Sequence, residues 1–109
     1  MPKTLSDWLP ISPGAQKWRW MNFANELNPN GEALSILPRP PILSLTMFNG
    51  VDLAPQSRVL QGPIILGTFV GFLLGNNPTP LAVYQIAIGV NTTAGEYLLD
   101  YAWQPITAF

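Results

Sequence analysis

The chain has 109 residues, 48% of them hydrophobic, with five Lys and Arg against six Asp and Glu, no Cys and no His. That length holds one domain around one modest core, and the missing thiols and imidazoles exclude disulfides, zinc sites of the usual ligand types and any catalytic triad built on histidine. The five cations, Lys3, Lys17, Arg19, Arg39 and Arg58, form no run and cannot assemble a phosphate-binding patch or a basic membrane-surface helix, so neither nucleic acid nor membrane is an expected partner.

In chain order, Met1-Pro2-Lys3-Thr4 runs into Asp7, Trp8 and Pro10 without an apolar segment, which is not the layout of a signal peptide. Residues 1 to 16, broken by Pro10, Pro13 and Gly14, read as an extended arm. Over residues 17 to 27, Trp18, Trp20 and Asn22 alternate with Lys17, Arg19, Met21 and Phe23, the period of a strand. Trp18 and Trp20 read as core, with a partner contact as the alternative. Asn28-Pro29-Asn30-Gly31 is a turn. Pro38, Pro40 and Pro41 then impose an extended passage, an edge connection in preference to a PxxP recognition segment.

Leu43, Leu45 and Met47 alternate with Ser44, Thr46 and Phe48, and Asn49-Gly50 follows, a strong two-residue hairpin signal. PIILGTFVGFLL, residues 63 to 74, is apolar but falls well short of the roughly 20 residues a spanning helix needs; its Pro, Gly and β-branched residues predict a covered strand or strand pair. Residues 75 to 80 turn the chain into a hairpin spanning 84 to 103. Tyr84, Ile86, Ile88 and Val90 share one face of its first strand. In the return strand Tyr97, Leu99, Tyr101 and Trp103 oppose Glu96, Leu98, Asp100 and Ala102, so the bulky set is expected inside and both charges outside. Gly95 is the position for a positive φ in the turn.

Six or seven short strands with turn residues between them predict an all-β chain: an immunoglobulin-like β-sandwich of about seven short antiparallel strands over residues 17 to 109, preceded by the arm of residues 1 to 16. The carboxylates Asp7, Glu26, Glu32, Asp52, Glu96 and Asp100 could supply a glycosidase-like pair, but each lies beside a turn or on a polar strand face, and solvated surface is the expected role. No catalytic residue, metal or cofactor is expected.

Four stretches resemble one family in order: Asp7-Trp8-Leu9-Pro10-Ile11-Ser12-Pro13; Trp18 and Trp20 before residues 28 to 34; Gly67-Thr68-Phe69-Val70 through Gly75-Asn76; and Tyr84-Gln85-Ile86 with Thr92-Thr93-Ala94-Gly95-Glu96. Together they resemble the small immunoglobulin-like virion proteins of tailed bacteriophages, of the fibre-tail adaptor type. The match departs at Glu96, where the family usually has Arg, and in the proline-rich residues 38 to 41. The resemblance implies a non-enzymatic structural protein, assembled in the bacterial cytoplasm into a virion. It would join a tail fibre to the tail or connector ring in several symmetrically arranged copies.

An apolar, charge-poor chain of this size has more greasy surface than a small monomer easily hides, which also argues for assembly. The expected partner-facing residues are Trp8, Leu9, Ile11, Phe69, Phe72, Ile106 and Phe109. The alternatives are a capsid decoration protein with the same apolar sandwich, and a carbohydrate-binding module that stacks sugars on Trp18, Trp20, Tyr97, Tyr101 or Trp103.

Overall fold

Two sheets carry the regular structure of this computed structural model, which describes residues 6 to 28 and 31 to 109. In chain order the strands are β1 (Ser6–Asp7), β2 (Lys17–Asn22), β3 (Leu34–Ser35), β4 (Ile42–Asn49), β5 (Val59–Leu66), β6 (Phe69–Leu74), β7 (Val83–Thr92) and β8 (Tyr97–Pro105). Short 3-10 turns occupy Ala24–Glu26 and Pro55–Arg58. One sheet runs β2-β6-β5; the other runs β1-β8-β7, with β4 and β3 both on the far edge of β7. Lettered B to G along the chain, with β3 leading into C, the six long strands form B-E-D and C-F-G, the connectivity of an immunoglobulin-type sandwich. The expected sandwich is the fold, and its pairs are antiparallel except β1, which lies parallel to β8.

The apolar stretch at 63 to 74 is a strand pair, β5 and β6, turned at Gly67 with φ 61°. The 84–103 hairpin is the longest ladder, from Val83 opposite Pro105 to Asn91 opposite Tyr97. Its turn closes with the Thr92 N–H donating to the Glu96 carbonyl at 2.9 Å, and Gly95 takes φ 85°. Tyr84, Ile86, Ile88 and Val90 are fully buried, packed with Leu43 and Leu45 of β4, Val70, Phe72 and Leu74 of β6, and Met21 and Phe23.

The start of sheet strand F is also the corner of the fold. Tyr84 Oη accepts from the Thr79 N–H at 2.9 Å and donates to Asp52 Oδ2. The backbone bond reaches a few residues upstream, as the tyrosine corner of such sandwiches does, and Ile86 stands two residues on, where antibody domains place a cysteine. Asp52 in turn receives Arg58 Nε at 2.9 Å and Nη2 at 3.2 Å, and Arg58 Nη1 donates to the Asn76 carbonyl at 2.5 Å. One tyrosine thereby ties the β4–β5 connection to the β6–β7 connection.

Four expectations are corrected. The first strand ends at Asn22, and residues 24 to 26 form a 3-10 turn. Asn49-Gly50 does not make a β-hairpin: the chain crosses to the other sheet, where β5 pairs with β6. Residues 6 to 11 are no separate arm, because β1 pairs with Ala102 and Trp103, and Ile11 bridges Ile106 with its N–H donating to the Pro105 carbonyl at 3.2 Å. Most consequentially, the faces of β2 and β8 are inverted. Tyr97, Leu99 and Tyr101 are exposed, while Asp100, Ala102 and Gln104 are buried. The reason is the turn. Asn91 opposes Tyr97 with five residues between, so even-numbered residues of β7 meet even-numbered residues of β8, and directly opposed residues share a face. Ile86 is thus matched with small Ala102, and Tyr84 with Gln104.

Candidate interaction surface

The inversion determines what the molecule shows to its surroundings. Of the strand residues from β2 to β8, only Lys17, Arg19 and Asp100 are charged, and alternation puts all three on the inward-pointing sets. The outer faces of both sheets therefore consist of uncharged positions, many of them aromatic or aliphatic.

On the β2-β6-β5 face, Trp18 and Trp20 stack with centroids 5.6 Å apart and planes at 18°. Trp20 opposes Gly71 of β6, and a Cβ at Gly71 would overlap the indole. The glycine lets the ring lie against the sheet. Ile64, Leu66 and Phe69 continue this face, all exposed. On the β8-β7-β4 face, Tyr97, Leu99 and Tyr101 are exposed, and Trp103 stacks on Phe48 of β4 at 4.2 Å. Small residues line the middle strand: Ala87 lies between Ser44 and Tyr101, and Gly89 between Ile42 and Leu99. Arg39, from the loop before β4, stands 5.4 Å over the Tyr97 ring.

The accessible surface is 6302 Å², close to the about 6,000 Å² that a compact monomer of this mass exposes. The exposed grease is thus not a sign of loose folding; it reflects which residues were placed outside. Among the described residues, sixteen large apolar side chains are exposed, equal in number to the hydrophobic residues of the core. Scattered surface apolar residues need no explanation; here Ile64, Leu66 and Phe69 share one sheet face and Tyr97, Leu99 and Tyr101 the other.

Arg19 and Gln104, on inward sets of β2 and β8, are bonded within the chain. Arg19 Nε donates to Gln104 Oε1 at 2.6 Å and Arg19 Nη2 to the Leu9 carbonyl at 2.6 Å, while Gln104 Nε2 donates to the Leu9 and Pro105 carbonyls at 2.9 and 2.7 Å. This seam fastens the residue 8–11 segment to β2 and β8. The carboxylates differ from the expected solvated set: Asp52 is buried in its ion pair and Asp100 lies on the inner face. Glu32 meets Glu96 beside the β7–β8 turn. The Asn28 N–H, donating to Glu32 Oε1 at 2.6 Å, holds the Glu32 carboxyl below its usual value, and hydrogen bonding to Glu32 pushes Glu96 up. No group of three or more His, Cys, Asp or Glu able to hold a metal occurs among the described residues.

The seven residues expected to face partners divide. Ile11, Phe72 and Ile106 belong to the core and cannot present themselves to a neighbour from the folded chain. Ile11 and Ile106 bridge each other, and Trp8, half-buried, packs its ring 5.9 Å from Phe72 and serves its own core. Leu9, Phe69 and Phe109 are exposed, Leu9 and Phe109 flanking the Ile11–Ile106 bridge in sequence and Phe69 standing on the outer face of β6. The residues that sequence reasoning misplaced are Trp18, Trp20, Tyr97, Leu99, Tyr101 and Trp103, which it assigned to the core. Turn parity was the signal that could have found the β8 set. No family model, curated protein or solved structure matches the chain.

Proposed function

We propose that the chain is a non-enzymatic structural component of a larger protein assembly, held between neighbours by its two outer sheet faces. The observation that carries this reading is the sorting of charge: no charged strand residue from β2 to β8 falls on an outward-facing set, and both broad faces are rich in aromatic residues. A standard interface takes about 800 Å² from each partner, and each face offers aromatic anchors of the kind that dominate binding energy. The sequence resemblance supplies the finer proposal: the assembly is the virion of a tailed bacteriophage, and the chain is an adaptor between fibre and tail. Mass spectrometry and a density map of purified particles test it. A copy number near that of a tail ring supports the adaptor; hundreds of copies place the chain on the capsid as a decoration protein. Absence from particles overturns the virion reading.

The second reading, a carbohydrate-binding module, gains from one observation: Tyr97 and Tyr101 stand exposed on one strand face with Ser44, Thr46 and Gln85 among their neighbours, a combination suited to stacking and hydrogen bonding sugars. Glycan-array binding that is lost in a Tyr101→Ala variant supports it.

A further inference from the structure

Asn49-Gly50 is not a hairpin turn, and the glycine has a different reason to be there. Gly50 takes φ 91°, and a Cβ at this position would meet the Ala82 Cβ at 2.9 Å. Both facts call for glycine. Packing therefore places after Asn49, a thermolabile residue type, the neighbour that least obstructs attack on the asparagine side chain by the next backbone nitrogen.

β4 is held unevenly along its length. At Leu43 and Leu45 it has β7 on one side and Gln56 on the other: Gln56 Oε1 accepts from the Leu45 N–H at 2.9 Å and Gln56 Nε2 donates to the Leu43 carbonyl at 3.0 Å. Asn49 is the last residue of the strand, beyond the register shift that follows Met47. Asn49 and Gly50 are both exposed, and among the described residues the Asn49 side chain has no hydrogen-bonding partner. Asn91 is the contrast. It is 8% exposed, donates from Nδ2 to the Arg39 carbonyl at 3.2 Å and precedes Thr92.

We propose that Asn49 is a site of spontaneous deamidation in the folded chain, and that the product puts a negative charge on the β8-β7-β4 face. The Gly50 nitrogen gives its proton to water or hydroxide and bonds to Asn49 Cγ. The Cγ–Nδ2 bond then breaks, and ammonia leaves with a proton taken from solvent. The result is a five-membered imide, which water opens at either carbonyl while returning a proton to the nitrogen. Opening at Cγ leaves an aspartyl residue; opening at the main-chain carbonyl leaves an isoaspartyl residue, with the chain running through the former side chain. In sum one amide and one water become one carboxylate and one ammonium, and nothing is oxidised or reduced. Asn49 opposes Val83, opposed residues share a face, and Val83 belongs with Gln85 and Ala87 to the outward set of β7. Its neighbour Phe48 carries the stack with Trp103. No charged residue of β2 to β8 lies on an outward set, so the conversion brings a charge beside this aromatic pair. The conversion needs no partner. Its consequence, exclusion of the converted chain from the assembly, rests on the reading of this face as a contact surface.

Incubation of the full chain in warm, mildly alkaline buffer tests the site, with fragment masses taken over time and circular dichroism on the same samples. The expected result is conversion at Asn49, with a more acidic species on ion exchange, while the chain stays folded and Asn91 stays intact. Asn30, which also precedes a glycine, lies outside the described residues and is counted separately by its own fragment. Asn49→Gln, whose side chain is one methylene too long for the five-membered ring, stays unconverted. An Asn49 that remains intact while a free peptide of residues 46 to 53 converts overturns the proposal, and so does conversion seen only in denaturant. Incorporation of Asn49→Asp into particles, compared with the parent, tests the consequence. Its loss is expected; incorporation equal to the parent's overturns the consequence and leaves the conversion, which is read by mass. A parent chain absent from particles removes the virion reading alone.

Discussion

Tyr84 concentrates several tasks in one hydroxyl. Fully buried, it accepts from the Thr79 N–H and donates to Asp52, whose other bonds come from Arg58 and the Ala54 N–H. Tyr84→Phe keeps the ring and removes the hydroxyl, leaving the Thr79 amide and one lone pair of a buried carboxylate without that partner. The expected loss is about 1–3 kcal/mol, read by urea denaturation. Asp52 itself gives a pH signature. Chiefly Arg58, with help from Tyr84 and the Ala54 N–H, holds its carboxyl well below the ordinary value of 3.8. A carboxyl depressed in the folded state contributes stability that is complete above its unfolded pKa of about 4 and is lost as pH falls toward the folded value. Denaturation midpoints should therefore fall as the pH drops below about 4, and Asp52→Asn, less stable at neutral pH, should show a shallower fall. An equal slope in the variant would remove Asp52 from the account.

At the scale of elements, strand edges and strand faces obey different rules, and the sequence displays only part of each. Gln56 protects β4 from a position eleven residues after Leu45, in a 3-10 turn, and no periodic pattern announces it. Gln56→Ala exposes the Leu43 carbonyl and Leu45 N–H. It should cost about 1 kcal/mol and raise the rate of aggregation in light scattering, because an uncovered edge is a template for another strand. Unchanged scattering would mean that the edge is blunted by something else. Strand existence was legible almost throughout: alternation at Tyr84–Val90 and Leu43–Met47 and the apolar run at 63 to 74 all correspond to observed strands. Faces were legible only where polarity and bulk agreed. In β2 and β8 the bulky aromatics alternate with residues that include a charge, and the intuitive choice buries the aromatics. The fold buries Ala102 and Gln104 instead, because register across the hairpin, with its odd-numbered turn, outranks the preference of any single side chain; on β2 it buries Met21, which opposes the core residue Val70 of β6. The candidate contact residues were scattered accordingly: Phe72, Ile11 and Ile106 were expected outside and are core, while Trp18, Trp20, Tyr97, Tyr101 and Trp103 were expected inside and lie on the outer faces.

For the molecule as a whole, the core and the outer faces are chemically alike but energetically separate, and a substitution that adds charge distinguishes them. Ile64 on the β2-β6-β5 face and Leu99 on the β8-β7-β4 face are 45% and 50% exposed. Neither belongs to the core cluster. A lysine at either position keeps its ammonium in water while its stem covers neighbouring apolar surface, so folding stability should change by no more than about 0.5–1 kcal/mol. Solubility of the free chain should rise, since a charge interrupts a greasy patch. In the proposed assembly the outcome is the reverse, because a neighbour seated on that face would have to desolvate the new charge without a partner for it. Ile64→Lys and Leu99→Lys should each fold as the parent does by thermal unfolding, yet each should lose incorporation into the assembly. If both faces are occupied, the two variants fail independently; incorporation that survives Leu99→Lys but not Ile64→Lys would show one working face and leave the other free for a soluble ligand.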